Sequence, residues 1–393
     1  MSDWKSVLLH IANDVEKEWD LCLNRLKDRL GWMDTVIILP YRGYGTADEV
    51  HLKGRVVEDR HITSAEDTDS VWENLLNIYR RFASNEIDEA RVRLRFGDVT
   101  QEAVTNNDGF FEFTFKPDPK MLQEPAYWYE AELELVEYPG PAQTLEQTRV
   151  KAEFLIPPPN AQFGLISDVD DTVVRTDAVN LLKMARNTFL HNAQTRLPFN
   201  GVAAFYTALQ MGTQPGLHNP IFYLSSGYWN LYDLLIDFFR IRGVPHGPLF
   251  LTDIGITPEY FITPGHHLHK FGHIKLLLEA YPDLPFILSG DSGQKDLEIY
   301  VEAAETFPGR ISAIYIRDVS DKIRDEAVQA LVARAAAVGT DMLLVEDTVA
   351  AAVHAADNGF ILPDALEAIR QESESDEQPP NPIEAALDEG TLA

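Results

Sequence analysis

The run "GLISDVDDTVVRTD" from residue 164 carries small and apolar residues straight into three carboxylates, Asp168, Asp170 and Asp171. Asp168 and Asp170 are separated by one residue. Two carboxylates this close need a cation or a shared proton to coexist. Mg2+ suits them, because it takes a few hard oxygen ligands and keeps several waters. A second acidic group, Asp291 with Asp296 five residues on, closes another apolar run, "PFILSGD". Asp168, a carbonyl near Asp170, and Asp291 would form an oxygen site, with Asp296 reaching it through a water. A metal held there neutralises the cluster and gives an anionic phosphate something to bind. The spacing is not that of an EF-hand: Val173 stands where Gly is needed and Val179 where Glu is needed.

The elements around these acids predict how they meet. Short apolar strands at 163–167, 220–226, "PLFLTDI", 285–291, 311–319 and 341–347 alternate with helices at 229–242, 271–280, 294–306, 321–337 and 348–357. That alternation predicts a parallel sheet buried on both faces. Ligands of such sheets sit at the carboxyl ends of the strands. Three of those ends are polar: Asp168 to Thr172, Ser225-Ser226-Gly227, and Gly290-Asp291-Ser292. Lys270 lies just before the helix that leads into the fourth strand.

Ahead of this unit the period is different. Residues 1–34 form an amphipathic segment whose helix, 3–30, has Trp4, Leu8, Ile11, Val15, Trp19, Cys22, Leu26 and Leu30 stepping by three or four. Packing on a neighbouring domain is favoured over docking on a membrane. Residues 35–156 read as an antiparallel β-sandwich with a helical insert at 70–83, and "TNNDGFFEFTF" reads as a hairpin. The stiff "PPPN" at 157–160 separates it from an α/β domain spanning 161–370. The segment 371–393 has seven acids and no Lys or Arg, and reads as a disordered tail.

The formal charge of −29 argues against nucleic acid as a partner and against bulk attraction to anionic membranes. The lone Cys22 permits no internal disulfide, and no secretion signal or bilayer-length apolar run is present. A soluble, cytoplasmic protein is expected.

The order Asp-x-Asp-x-Thr, strand-end Ser, Lys, then Gly-Asp-x-x-x-x-Asp resembles the haloacid dehalogenase-like phosphohydrolases. More narrowly, "SDVDDTVVRT", "NTFLHNAQTRLPFNGVAAFY", "FYLSSGYWNLYDLL", "HKFGHIKLLLEAYP" and "FILSGDSGQKDLEIY" make residues of about 160–320 resemble the catalytic domain of the actin-patch phosphatidate phosphatase family. "RGYG" and "GRVV" resemble the N-terminal part of some bacterial members. The family's Ser-x-Ser-Pro-Trp-Asn is here Ser225-Ser226-Gly227-Tyr228-Trp229-Asn230, and its Asp-Pro-Glu is Asp296-Leu297-Glu298.

The resemblance implies a Rossmann-like sheet and a Mg2+-dependent phosphatase acting through an aspartyl-phosphate. In it Asp168 is the nucleophile, Asp170 the general acid and then base, and Asp171 a spacer. Asp168, Asp170, Asp291 and Asp296 serve the metal. Ser225 hydrogen-bonds a phosphoryl oxygen, with Ser226 and Gly227 beside it, and Thr172 steadies the loop. Lys270 counters charge on nucleophile and phosphoryl group; Lys275 is expected to be solvated. His269 and His273 have helical zinc spacing, but no Cys or carboxylate completes a site nearby. His266, His267, His269 and His273 are therefore expected to have structural or substrate-loop roles and to line the site's mouth.

Residues 173–219 mix Arg175, Lys183, Arg186 and Arg196 with Leu181, Leu182, Met184, Phe189 and Leu190. A small cap of that kind would suit a lipid phosphate, and an ordinary amphipathic helix is as good a reading. The expected substrate is phosphatidate, reached by peripheral membrane contact. The alternatives are a soluble phosphate monoester and a scaffold without turnover.

Overall fold

The structure is a computed structural model that describes residues 36–58, 86–123, 126–140, 148–169, 201–214, 216, 218–252, 266–292, 295–317 and 326–376. The expected helix at 3–30 and the insert at 70–83 lie outside the described residues, as do Asp170, Asp171, Thr172 and the basic residues up to Arg196.

The first unit contains β1 (Val36–Pro40), β2 (Gly43–Gly45), β3 (Val50–Glu58), β4 (Arg91–Phe96), β5 (Val99–Val104), β6 (Phe110–Phe115), β7 (Trp128–Glu137) and β8 (Arg149–Leu155). The expectation of antiparallel strands needs correction. The eight strands share one continuous hydrogen-bonded sheet, ordered β1-β3-β2-β8-β7-β4-β5 with β6 on the other edge of β3. It is mixed, because β2 runs parallel to β8. Only Tyr41 and Arg42 separate β1 from β2. That short break moves the chain from the end of β3 into the gap between the start of β3 and β8. Gly43 makes the move possible, since a Cβ there would strike the His51 carbonyl.

The expected hairpin is also corrected. Its turn is present: Asn106 Oδ1 accepts the N–H groups of Asp108 and Phe110, and Gly109 takes φ +74°. Yet β6 leaves the turn to pair with β3 rather than β5. Alternation explains why: Phe111, Phe113 and Phe115 are buried, and they join Val92, Leu94, Leu133 and Phe154 in one core.

The second unit contains β9 (Gly164–Asp168), α1 (Val202–Met211), β10 (Ile221–Tyr228), α2 (Tyr232–Ile241), β11 (Leu249–Thr252), α3 (His266–Ala280), β12 (Phe286–Asp291), α4 (Asp296–Thr306), β13 (Ile311–Arg317), α5 (Glu326–Ala337), β14 (Asp341–Val345), α6 (Thr348–Asp357) and α7 (Ala365–Asp376). Its six strands are all parallel, ordered β11-β10-β9-β12-β13-β14. β9 and β12 lie in the middle and are buried along their whole length. From β9 the chain winds outward through β10 and β11, then returns to the other side of β9 and winds outward through β13 and β14. The reversal between β9 and β12 is the switch point where open α/β sheets form a crevice.

Three boundaries differ from the sequence reading. α3 starts at His266 rather than 271, so Lys270 is inside the helix. The cap region's last stretch is α1, whose Phe205, Tyr206 and Leu209 are fully buried in the α/β core. The tail boundary at Gln371 falls within α7, which continues to Asp376. Charge alone suggested disorder there. Packing decides otherwise: Ile369 and Ser373 are buried, and both Glu372 carboxylate oxygens accept the Ala204 N–H in the first turn of α1, where an anion is favoured. Among the described residues no helix is long and apolar enough to cross a membrane.

Candidate active site

The ladder registers bring the strand ends together. Ser167 is opposite Ser289, and Leu224 is opposite Asp168. Asp168 thus lies between the start of the Ser225 turn and the Gly290-Asp291 end. Asp168, Asp291 and Asp296 are all buried, as is Lys270.

Lys270 is the centre of this group. Its Nζ stands 2.8 Å from Asp168 Oδ1 and 2.8 Å from Asp296 Oδ1. A lysine almost never becomes fully buried unless it is paired, and here two carboxylates compensate it. The Tyr300 hydroxyl donates to the Ser289 carbonyl at 3.0 Å. Burial first, then the charges of Asp296 and Asp168 and, less, Asp291, hold its phenol well above the ordinary tyrosine pKa. Asp168 and Asp296 meet at one ammonium, two residues of separate elements drawn to the same point. Gly290 leaves room for them, since a Cβ there would lie 2.6 Å from Asp296 Oδ2.

Sequence reasoning missed the layer beneath. The Tyr206 hydroxyl of α1 is 2.7 Å from Ser167 Oγ and donates to Ser289 Oγ at 3.0 Å. It bridges β9 and β12 one residue below Asp168 and two below Asp291. Burial, with Asp168 adding to it, raises the Tyr206 pKa to about 12, so the hydroxyl keeps its proton. A signal was present: "LISD" and "ILSGD" each place a serine just inside a strand end, where an apolar residue would otherwise pack.

Ser225 is buried, and its Oγ accepts the Gly227 N–H at 3.0 Å, closing a tight turn. Asp170 and Thr172 lie outside the described residues, and so does the Ser226 side chain. Lys275 is half exposed and 3.8 Å from Glu279. Among the described residues no three His, Cys, Asp or Glu side chains form a metal cluster. Two buried carboxylates, Asp168 and Asp296, do share one buried ammonium, an excess of negative charge that suits a divalent cation.

His269 and His273 share a face of α3, with Nε2 atoms 3.2 Å apart, and Thr252 Oγ1 is 3.4 Å from His269 Nε2. His273 packs on Phe250. Burial first, then His269 and Lys53, lower its pKa to about 4. Such a histidine stays neutral when folded, while the unfolded chain protonates it near 6.5. Its contribution to stability is therefore present above about pH 6.5 and is lost as pH falls toward 4. Thermal melts at about pH 7 and 4.5 check this: His273→Gln is expected to narrow the drop in Tm between them. An equal drop in both proteins contradicts the assignment.

Residues 163–318 match the family described as "Phosphatidate phosphatase APP1, catalytic domain". The span holds every described residue of the site. A phosphatidate phosphatase from Saccharomyces cerevisiae is 34% identical over 163 residues, which is 41% of this chain and 27% of that protein. An uncharacterised protein of Schizosaccharomyces pombe is 28% identical over 157 residues, covering 40% of this chain and 25% of its own. The chain thus spans about a quarter of the length of these relatives. A solved β-glucuronidase of Bifidobacterium dentium aligns over 79% of this chain and 60% of its own at 12% identity, with a TM-score of only 0.22.

Proposed function

Because residues 163–318 match the catalytic domain of the phosphatidate phosphatase family, we propose that this protein hydrolyses phosphatidate to diacylglycerol and phosphate on a haloacid dehalogenase-like sheet. The observation that carries the proposal is the buried Lys270 between Asp168 and Asp296 at the strand switch point, inside the matched span. A lysine so placed holds a carboxylate ionised in a dry site, which is what an in-line attack on phosphorus requires.

The Asp168 carboxylate attacks phosphorus, and the bond from phosphorus to the glycerol oxygen breaks. Asp170 gives its proton to the leaving alkoxide, releasing diacylglycerol and leaving phosphate esterified to Asp168. Asp170, now a carboxylate, takes a proton from water as the water oxygen attacks phosphorus. The bond to Asp168 breaks, and phosphate and a free Asp168 result. Lys270 offsets charge on Asp168 and on the phosphoryl oxygens, Ser225 and Ser226 offer donors to those oxygens, and Gly227, hydrogen-bonded to Ser225 Oγ, lies beside them. Thr172 steadies the loop that carries Asp170. Asp168, Asp291 and the backbone near Asp170 would hold Mg2+, with Asp296 reaching it through a water. That ion supplies neutralisation of the phosphoryl oxygens.

The test is phosphate release from phosphatidate in detergent micelles, set beside a panel of sugar phosphates and nucleotides. The expected result is a kcat/KM for phosphatidate well above the panel. Background release from lipid with strong turnover of a soluble monoester overturns the lipid assignment while keeping the chemistry. The charge of −29 gives the lipid reading one further expectation: anionic vesicles should not recruit the protein by charge alone.

A further inference from the structure

The strings "YRGYG" and "GRVV" belong to the first sheet, far in sequence from the catalytic acids, and the reaction makes no use of them. Both lie against the segment that follows Ser225. β10 ends at Tyr228 and runs into one turn of 3-10 helix, Trp229–Leu231. Trp229 is buried, and Tyr41 stacks on it with ring centroids 4.2 Å apart. Tyr41 also meets Tyr232, and the Tyr232 hydroxyl accepts the Arg42 N–H at 2.8 Å. Phe110 meets Trp229 edge to face with ring centroids 6.3 Å apart, and the Lys53 ammonium lies 5.0 Å from the Trp229 ring centre.

Arg55 makes the polar link. Its side chain is 8% exposed, and each nitrogen of its fork has a partner. Nη1 donates to Asn230 Oδ1 at 2.8 Å, Nη2 to Glu86 Oε1 at 2.7 Å, and Nε to the Asp108 carbonyl at 2.7 Å. The guanidinium also lies over Phe110, 4.6 Å from the ring centre. A planar, fully engaged fork fixes its partners more firmly than a lysine could. Asn230, in the 3-10 turn that directly follows β10, is five residues beyond Ser225 and three beyond Gly227.

We infer that the first sheet is a working part of the active site: Arg55, with Tyr41 stacked on Trp229, is a positioning residue that holds the Ser225–Asn230 segment where its donors meet the phosphoryl group. The inference rests on the phosphatase reading for its kinetic consequence, and on the contacts alone for its structural one. Most of the Trp229 contact is apolar and survives loss of the Arg55 bond. Asn230→Ala therefore releases the segment's polar anchor while Arg55 keeps Glu86 and the Asp108 carbonyl.

Two measurements on the full chain test it. The first is amide hydrogen exchange over residues 221–232 in wild type, Asn230→Ala and Arg55→Met, which needs no turnover. Faster exchange at 225–228, with the start of β10 and all of β9 and β12 unchanged, is expected in both variants. The second is steady-state kinetics on phosphatidate micelles, with a generic aryl phosphate alongside. Asn230→Ala is expected to lower kcat by about 10- to 100-fold, since a misplacement near 1 Å costs about that much. KM and Tm should change little, and Asn230→Asp, which keeps an acceptor for Arg55, should restore most of kcat. Unchanged exchange at 225–228 overturns the inference. So does a kcat within twofold of wild type in both Asn230→Ala and Arg55→Met. A wild type that turns over neither substrate sinks the phosphatase reading instead, and the exchange result still decides the anchoring.

Discussion

Lys270→Met is expected to lower the unfolding free energy by about 3–5 kcal/mol, the usual cost of removing one partner from a buried ion group. Two carboxylates, each 2.8 Å from the ammonium, would be left buried with no cation from α3. Activity should fall with it. Loss of one preorganised charge at the phosphoryl group costs about 10²–10³ in kcat. Denaturant melts and phosphate release on the same preparation check both numbers. A variant as stable as wild type would mean that Lys270 is not compensating the two acids in the folded protein.

Asp168→Asn carries the opposite sign for stability. Lys270 keeps its bond to Asp296, and one negative charge leaves a cluster that holds more carboxylates than cations. Tm is expected to stay level or rise. Turnover should disappear, because an amide cannot form the ester to phosphorus. The two variants therefore separate charge compensation from nucleophilic chemistry: one loses stability and rate together, the other loses rate alone. If Asp168→Asn unfolds as readily as Lys270→Met, the pair is acting as one structural unit and the assignment of separate jobs is wrong.

The positions of Asp168 and Asp291 were legible because an apolar strand that ends in a charge leaves few places for that charge to go. The boundary of α3 was not. "HHLHK" has no clear apolar stripe and histidine is a middling helix former, so the helix looked as though it began at Phe271. In the structure Lys270 needs that earlier start, since it reaches Asp168 and Asp296 from within the helix. The Tyr206 bridge was hidden for another reason. Its partners Ser167 and Ser289 are 39 and 83 residues away, and a tyrosine on a buried helix face reads as packing. Arg55 was harder still. In the alternating strand "VHLKGRVVE" it resembles an outward-facing cation, and only the docking of the two units shows that Asn230 accepts its hydrogen bond. The acidic end of α7 misled through composition, because charge was weighed and the buried Ile369 was not.

One measurement bears most directly on the whole account: phosphate release from phosphatidate micelles, with and without Mg2+, by wild type and Asp168→Asn at matched folded concentration. The account predicts Mg2+-dependent release by wild type and none above background by the variant, with both proteins showing the same cooperative melt. Mg2+-dependent release by a folded Asp168→Asn protein would contradict it.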